Sequence, residues 1–172
     1  FTSGASHLSG TGTPEGIVTA APGSTWLQTD STTDVKGWIR WVKATGTGNT
    51  GWVAGPEADT GWRNVTASIT GSQSGAGALI RRVGKQVSVT IYKIADNGAT
   101  DGLTVAAGFR PSLVGYGQLF AVNSLTANGA MWWNGTTILI PAGGADDYAG
   151  TYLPVNYSTD DAWPSSLPGS AA

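Results

Sequence analysis

The stretch Lys85–Ala95, KQVSVTIYKIA, decides the fold class. Val87, Val89 and Ile91 alternate with Ser88 and Thr90. In an extended strand successive side chains point to opposite faces, so this run has one apolar face and one polar face. Similar short runs lie on either side of it. Trp62–Ser68 and Gly77–Gly84 come before; Leu103–Ala107, Gly117–Leu125, Gly129–Asn134, Thr136–Ala142 and Gly150–Ser158 come after. They recur about every 8–12 residues, the spacing of an all-β sandwich. The tripeptides Asp96-Asn97-Gly98 and Ala127-Asn128-Gly129 read as hairpin turns between them.

Composition agrees with this reading. The chain of 172 residues holds 26 Gly and 8 Pro, and 12% of residues are charged. Strong helix formers do not dominate, while Thr, Val, Ile, Trp and Tyr are frequent. The net charge is −2 and no basic cluster is longer than Arg81-Arg82, so nucleic acid is not an expected partner. There is no cysteine, which excludes disulfides, thiolate zinc sites and thiol catalysis. No apolar run approaches the ~20 residues of a membrane-spanning helix, and no membrane partner is expected. A start at Phe1 rather than Met reads as the C-terminal fragment of a longer chain.

Before Trp62 the pattern changes. Residues 1–13 read as a Ser/Gly/Thr-rich linker or lead-in, residues 14–57 as a small β module, and residues 58–172 as a larger β domain. In the small module Gly16–Ala20 and Trp26–Asp30 are strand candidates separated by a turn at Pro22-Gly23. The clearest strand is Gly37–Ala44, GWIRWVKA. Trp38, Arg40 and Val42 point one way and Ile39, Trp41 and Lys43 the other, so both faces are expected to be covered. Trp52–Ala54 closes the module.

Two stretches here carry a resemblance. GTGTPEGIVTAAPGSTWLQTD and WVKATGTGNTGWV, covering Gly10–Val53, resemble a connector module of bacteriophage tail fibre and minor tail proteins from phages of Gram-positive hosts. IRRVGKQVSVTIYKI, GFRPS, the strand ending in ILIP and the closing DDAWPSSLPGSAA are similar to the C-terminal heads of phage receptor-binding proteins. The resemblance implies a homotrimer at the virion tail tip, joined to upstream tail or baseplate proteins. It also implies a jelly-roll-like antiparallel β-sandwich head that grips host cell-wall carbohydrate. In such a connector Pro14 stiffens the backbone and Gly12 and Gly16 allow turns or close approach. Glu15 then accepts backbone or hydroxyl donors, the alternative being a solvated turn carboxylate. The tryptophans would fill a small core that one chain cannot seal without its copies.

Little in the sequence suggests catalysis. His7 is the only histidine and lies in the lead-in, where an unstructured role is expected. Glu15 and Glu57 are the only glutamates. Neither a metal nor a cofactor is expected, although a calcium site at Asp146 and Asp147 with loop carbonyls is conceivable. Arg110 reads as a loop arginine pairing a carboxylate. The candidate saccharide-binding residues are Trp132, Trp133, Asp146, Asp147, Tyr148 and Tyr152. Of two consecutive tryptophans in a strand, one faces inward and one outward, where a ring can stack on a sugar or lie in a trimer seam; the alternative, favoured by residue type, is a buried structural role for both. Carboxylates and tyrosines on the loop that follows can grip hydroxyls and the apolar sugar face. The expectation is therefore an all-β, homotrimeric, non-enzymatic adhesin. The alternatives are a structural tail-tip or trimerisation domain without ligand, and a cell-wall polysaccharide depolymerase.

Overall fold

The computed structural model describes residues 4–30, 39–70, 72–94, 101–120, 127–140, 152–164 and 166–172. The chain is all-β, built on antiparallel sheets, and divides into two units. The first comprises residues 1–61 with 82–84, and the second residues 62–81 with 85–172.

The first unit is one four-stranded sheet in spatial order β1-β2-β3-β4. Its strands are β1 (His7–Gly10), β2 (Thr25–Gln28), β3 (Ile39–Lys43) and β4 (Trp52–Ala54). The lead-in is thus partly a strand, contrary to its reading as a linker. β1 runs parallel to β2, pairing His7 with Thr25 and Gly10 with Gln28, and residues flanking β1 join in: Thr25 N–H donates to Ser6 O at 2.8 Å. Gly10 has a steric reason to be glycine, because a Cβ there would run into the Trp26 indole.

β3 alternates as expected, but the chain covers only one of its faces. Ile39, Trp41 and Lys43 are buried, whereas Arg40 and Val42 are exposed. Trp41 and Trp52 are each 5% exposed, so the chain itself seals them. For these two that corrects the expectation of a tryptophan core open without its copies; Trp26 is half-buried and Trp38 lies outside the described residues. What stays open is the other face. The register sets His7, Thr25, Val42 and Val53 in one row across all four strands. Val42 is 39% and Val53 56% exposed in that row.

Gly16–Ala20 is not a strand. Ile17 and Val18 N–H both donate to Pro14 O, at 3.0 and 2.9 Å, which folds the segment into a turn. Gly16 sits in the turn at φ +78°, a region that L side chains rarely adopt.

The second unit has two five-stranded sheets. One contains β5 (Arg63–Asn64), β7 (Ser72–Val83), β8 (Gln86–Ile94), β13 (Tyr152–Ser158) and β14 (Ser170–Ala171) in the order β13-β8-β7-β5-β14. The other contains β6 (Ile69–Thr70), β9 (Asp101–Thr104), β10 (Gly115–Phe120), β11 (Ala127–Asn134) and β12 (Thr137–Ile140) in the order β10-β11-β12-β9-β6. The expected strand at Trp62–Ser68 is only β5 followed by a single 3-10 turn, Thr66–Ser68.

β8 behaves as its alternation requires. Val87, Val89 and Ile91 are buried and join Ala78, Ile80, Leu103, Val105, Phe109, Ile138, Val155 and Tyr157 in one apolar cluster fed by both sheets. On the opposite face polar pairs cross to β13: Ser88 Oγ donates to Asn156 Oδ1 at 2.8 Å, and Gln86 Nε2 to Ser158 Oγ at 3.1 Å. β13 lies at the sheet edge and so tolerates Pro154, which has no N–H to donate.

Ala127-Asn128-Gly129 is not a turn but the start of β11. Opposite it, between Leu119 and Phe120, the pairing shifts by one residue, which marks a bulge rather than a reversal. The other expected turn, Asp96–Gly98, lies outside the described residues.

Candidate functional site

The residues named from the sequence are only partly described. Trp133 lies on β11, half-buried against the apolar cluster. Its ring stacks on Tyr157, with centroids 6.3 Å apart and planes at 28°. Gly115 lies opposite in β10, where a Cβ would collide with the indole. Trp132 pairs with Tyr116 and Leu139 across β11, and Tyr152 opens β13 opposite Tyr92. Asp146, Asp147 and Tyr148 lie outside the described residues, and with them the conceivable calcium site. Among the described residues no group of three or more His, Cys, Asp or Glu could hold a metal.

Several of the described carboxylates hold loops. Glu15 accepts two backbone N–H groups from the far side of the first unit: Trp52 N–H to Oε2 at 2.7 Å and Gly51 N–H to Oε1 at 3.2 Å. The acceptor role expected of it is what the geometry shows. The surrounding loop locks in the same way. Gly16 N–H donates to Asn49 O at 2.8 Å, Asn49 Nδ2 returns a bond to Gly16 O at 2.7 Å, and Trp52 Nε1 donates to Val18 O at 2.8 Å. The PEG turn and the TGTGNTGW loop are therefore two halves of one clasp. Behind it the buried Lys43 ammonium donates to Thr50 O and lies 5.8 Å from the Trp52 ring centroid.

The second unit has a counterpart. Asp161 Oδ2 accepts Gly108 N–H at 2.8 Å and Arg110 N–H at 3.2 Å. GFRPS and the closing DDAWP thus meet through a backbone clamp, with the backbone of Arg110 rather than its exposed guanidinium facing the acid. Beside it Tyr157 OH donates to Phe109 O at 2.8 Å. Burial, and then the charge of Asp161, pushes the Tyr157 phenol well above its ordinary value. Asp160 is paired with Lys85 at 2.8 Å on the surface. The lysine hydrogen bond and charge, with a further hydrogen bond from Ser112, hold its carboxyl below the usual range.

A groove of about 460 Å³ opens on the first unit, lined by His7, Leu8, Ser9, Thr25, Trp26, Leu27 and Arg40. The register places His7, Ser9, Thr25, Leu27 and Arg40 on the same open sheet face as Val42 and Val53. His7 Nδ1 and Thr25 Oγ1 are 2.7 Å apart, so His7 is ordered rather than loose. The Trp26 indole N–H is spent on Gly12 O at 3.1 Å. Sequence reasoning missed this groove. Its one local signal was the alternation that turned Arg40 outward; the rest depends on a parallel pairing with no sequence mark. Compared with known proteins, the chain matches no family model, no curated protein and no solved structure.

Proposed function

We propose that the chain is a non-enzymatic receptor-binding module of a bacteriophage tail tip. It acts as a homotrimer, with a jelly-roll-like head that attaches the virion to saccharide on the host cell surface. The observation that carries the non-enzymatic part is the use of the acids. Hydrolysis of a polysaccharide needs carboxylates that face substrate and exchange protons. Among the described residues, Glu15, Asp30, Asp59 and Asp161 instead accept backbone N–H groups, and Asp160 is tied to Lys85. Acids used in this way stiffen loops, which suits a scaffold that presents a surface.

The homotrimer is supported by the open sheet face of the first unit. Val42 and Val53 are directly paired across β3 and β4 and stand in water, where a copy of the chain would cover them. Three equivalent heads raise the avidity of a weak sugar site by orders of magnitude, so a single tight pocket is not required.

The test is to incubate labelled chain with purified cell walls from Gram-positive bacteria. Retention on the wall without release of reducing ends is expected. Release of reducing ends would favour a depolymerase. Failure to be retained by any wall would leave the structural tail-tip reading in its place.

A further inference from the structure

The geometry points to a second ligand site, in the first unit: the groove at Arg40 takes a sugar that carries a carboxylate or phosphate. This goes beyond the adhesive reading, which places attachment in the head, and stands or falls apart from it.

The argument starts from what lines the groove. Arg40 is exposed, always charged, and offers a planar fork of donors that matches a carboxylate or phosphate bidentately. Among the described residues, none that lines the groove is acidic. This is notable in a chain whose net charge is −2. Ser9 and Thr25 add hydroxyls that both donate and accept, as sugar hydroxyls require. His7 is oriented by Thr25 through Nδ1, leaving Nε2 as a further polar group at the same edge. Leu27, directly opposite Arg40 in the register, supplies apolar surface for the C–H face of a ring.

The size also suits. About 460 Å³ lies within the range of small-molecule sites. The polar groups sit on paired strands of one sheet rather than on loops, so their spacing is fixed by register. A neutral sugar would leave Arg40 without an oppositely charged partner. An apolar ligand would leave the hydroxyls and the imidazole unmatched.

Three ligands that differ only around C6 test this on the full chain: glucuronate, glucose 6-phosphate and glucose, titrated by NMR. Both acids should bind at least tenfold more tightly than glucose. The stronger of the two identifies the anion as carboxylate or phosphate. Arg40→Gln should weaken the acids about tenfold or more, and Arg40→Lys, which keeps charge but loses the fork, should fall between. Arg40 is exposed, so both variants should keep the native indole N–H spectrum. Glucose binding as tightly as the acids would overturn the proposal. So would an Arg40→Gln variant with unchanged acid binding, or failure of both acids to bind. Arg40→Gln should still be retained by cell walls if attachment rests in the head, which keeps the two readings distinguishable.

Discussion

The two units solve the same problem differently. The second closes itself: two sheets contribute to one apolar cluster, and residues such as Ile91, Leu103 and Phe109 have no exposure left. The first has a single sheet, with one face covered by its own loops and the other open at Val42 and Val53. Both units tie loop backbones with a carboxylate, Glu15 on Gly51 and Trp52 in the first and Asp161 on Gly108 and Arg110 in the second, but the second adds a large apolar cluster while the first adds Lys43 on Thr50. A small sheet without an opposing sheet has too little apolar surface to hide, and charged groups tying loop backbones together make up part of the difference. The contrast is one of burial: the second unit hides its described apolar cluster, whereas Val42 and Val53 of the first stay exposed, which is what supports the proposed homotrimer.

The sharpest way to break this comparison is to cut the core of the second unit. Phe109→Ala removes a fully buried ring and should cost about 3–5 kcal/mol in denaturant unfolding. A loss under about 1 kcal/mol would show that burial is not what holds that unit. In the first unit Glu15→Ala leaves two N–H groups without their acceptor at a partly wet site. It should cost about 1–2 kcal/mol and should speed hydrogen exchange at Trp52 while leaving β8 unaffected. Equal protection loss in both units would erase the distinction.

Smaller effects sharpen the picture. Tyr157→Phe loses the bond to Phe109 O and should cost about 1 kcal/mol near neutral pH. The folded state favours the neutral phenol, so the Tyr157 contribution is fully present below the ordinary tyrosine value of about 10 and is lost as pH rises above it. The variant should therefore lose less stability than the parent above about pH 10. An identical alkaline limb in the two proteins would contradict the burial of that hydroxyl. Asp160→Asn should change least of all. The pair with Lys85 is exposed and screened by salt, and its small contribution should vanish as pH falls through the lowered carboxyl value. A large, salt-independent loss would mean that this surface pair does more than its exposure allows.

The sequence was most informative where structure is local. Period-two alternation in Val87, Val89 and Ile91 and in Ile39, Trp41 and Lys43 determines which side faces inward, and the burial follows it. Glu15 was expected as an acceptor only through the resemblance to a connector module; residue type alone favoured a solvated turn carboxylate. What was not legible depends on partners far along the chain. β1 exists because residues 18 positions later pair with it, and parallel pairing has no hairpin to announce it. Gly16–Ala20 has strand-like composition, yet the carbonyl of Pro14 captures its N–H groups first. Ala127-Asn128-Gly129 has turn chemistry, but the ladder to β10 absorbs it with a bulge. The groove escaped for the same reason as β1: His7, Thr25 and Arg40 meet only through register.

The central claim is that identical copies cover Val42 and Val53, on the β3–β4 side of the open face of the first unit, and leave the groove at His7 and Arg40 free. Sedimentation equilibrium of the full chain at micromolar concentration tests it most directly, with Val53→Asp as the matched variant. The account predicts a species of three times the 17.5 kDa chain mass, reduced to a folded single chain by Val53→Asp. A native chain that sediments as a stable, fully folded monomer would contradict it.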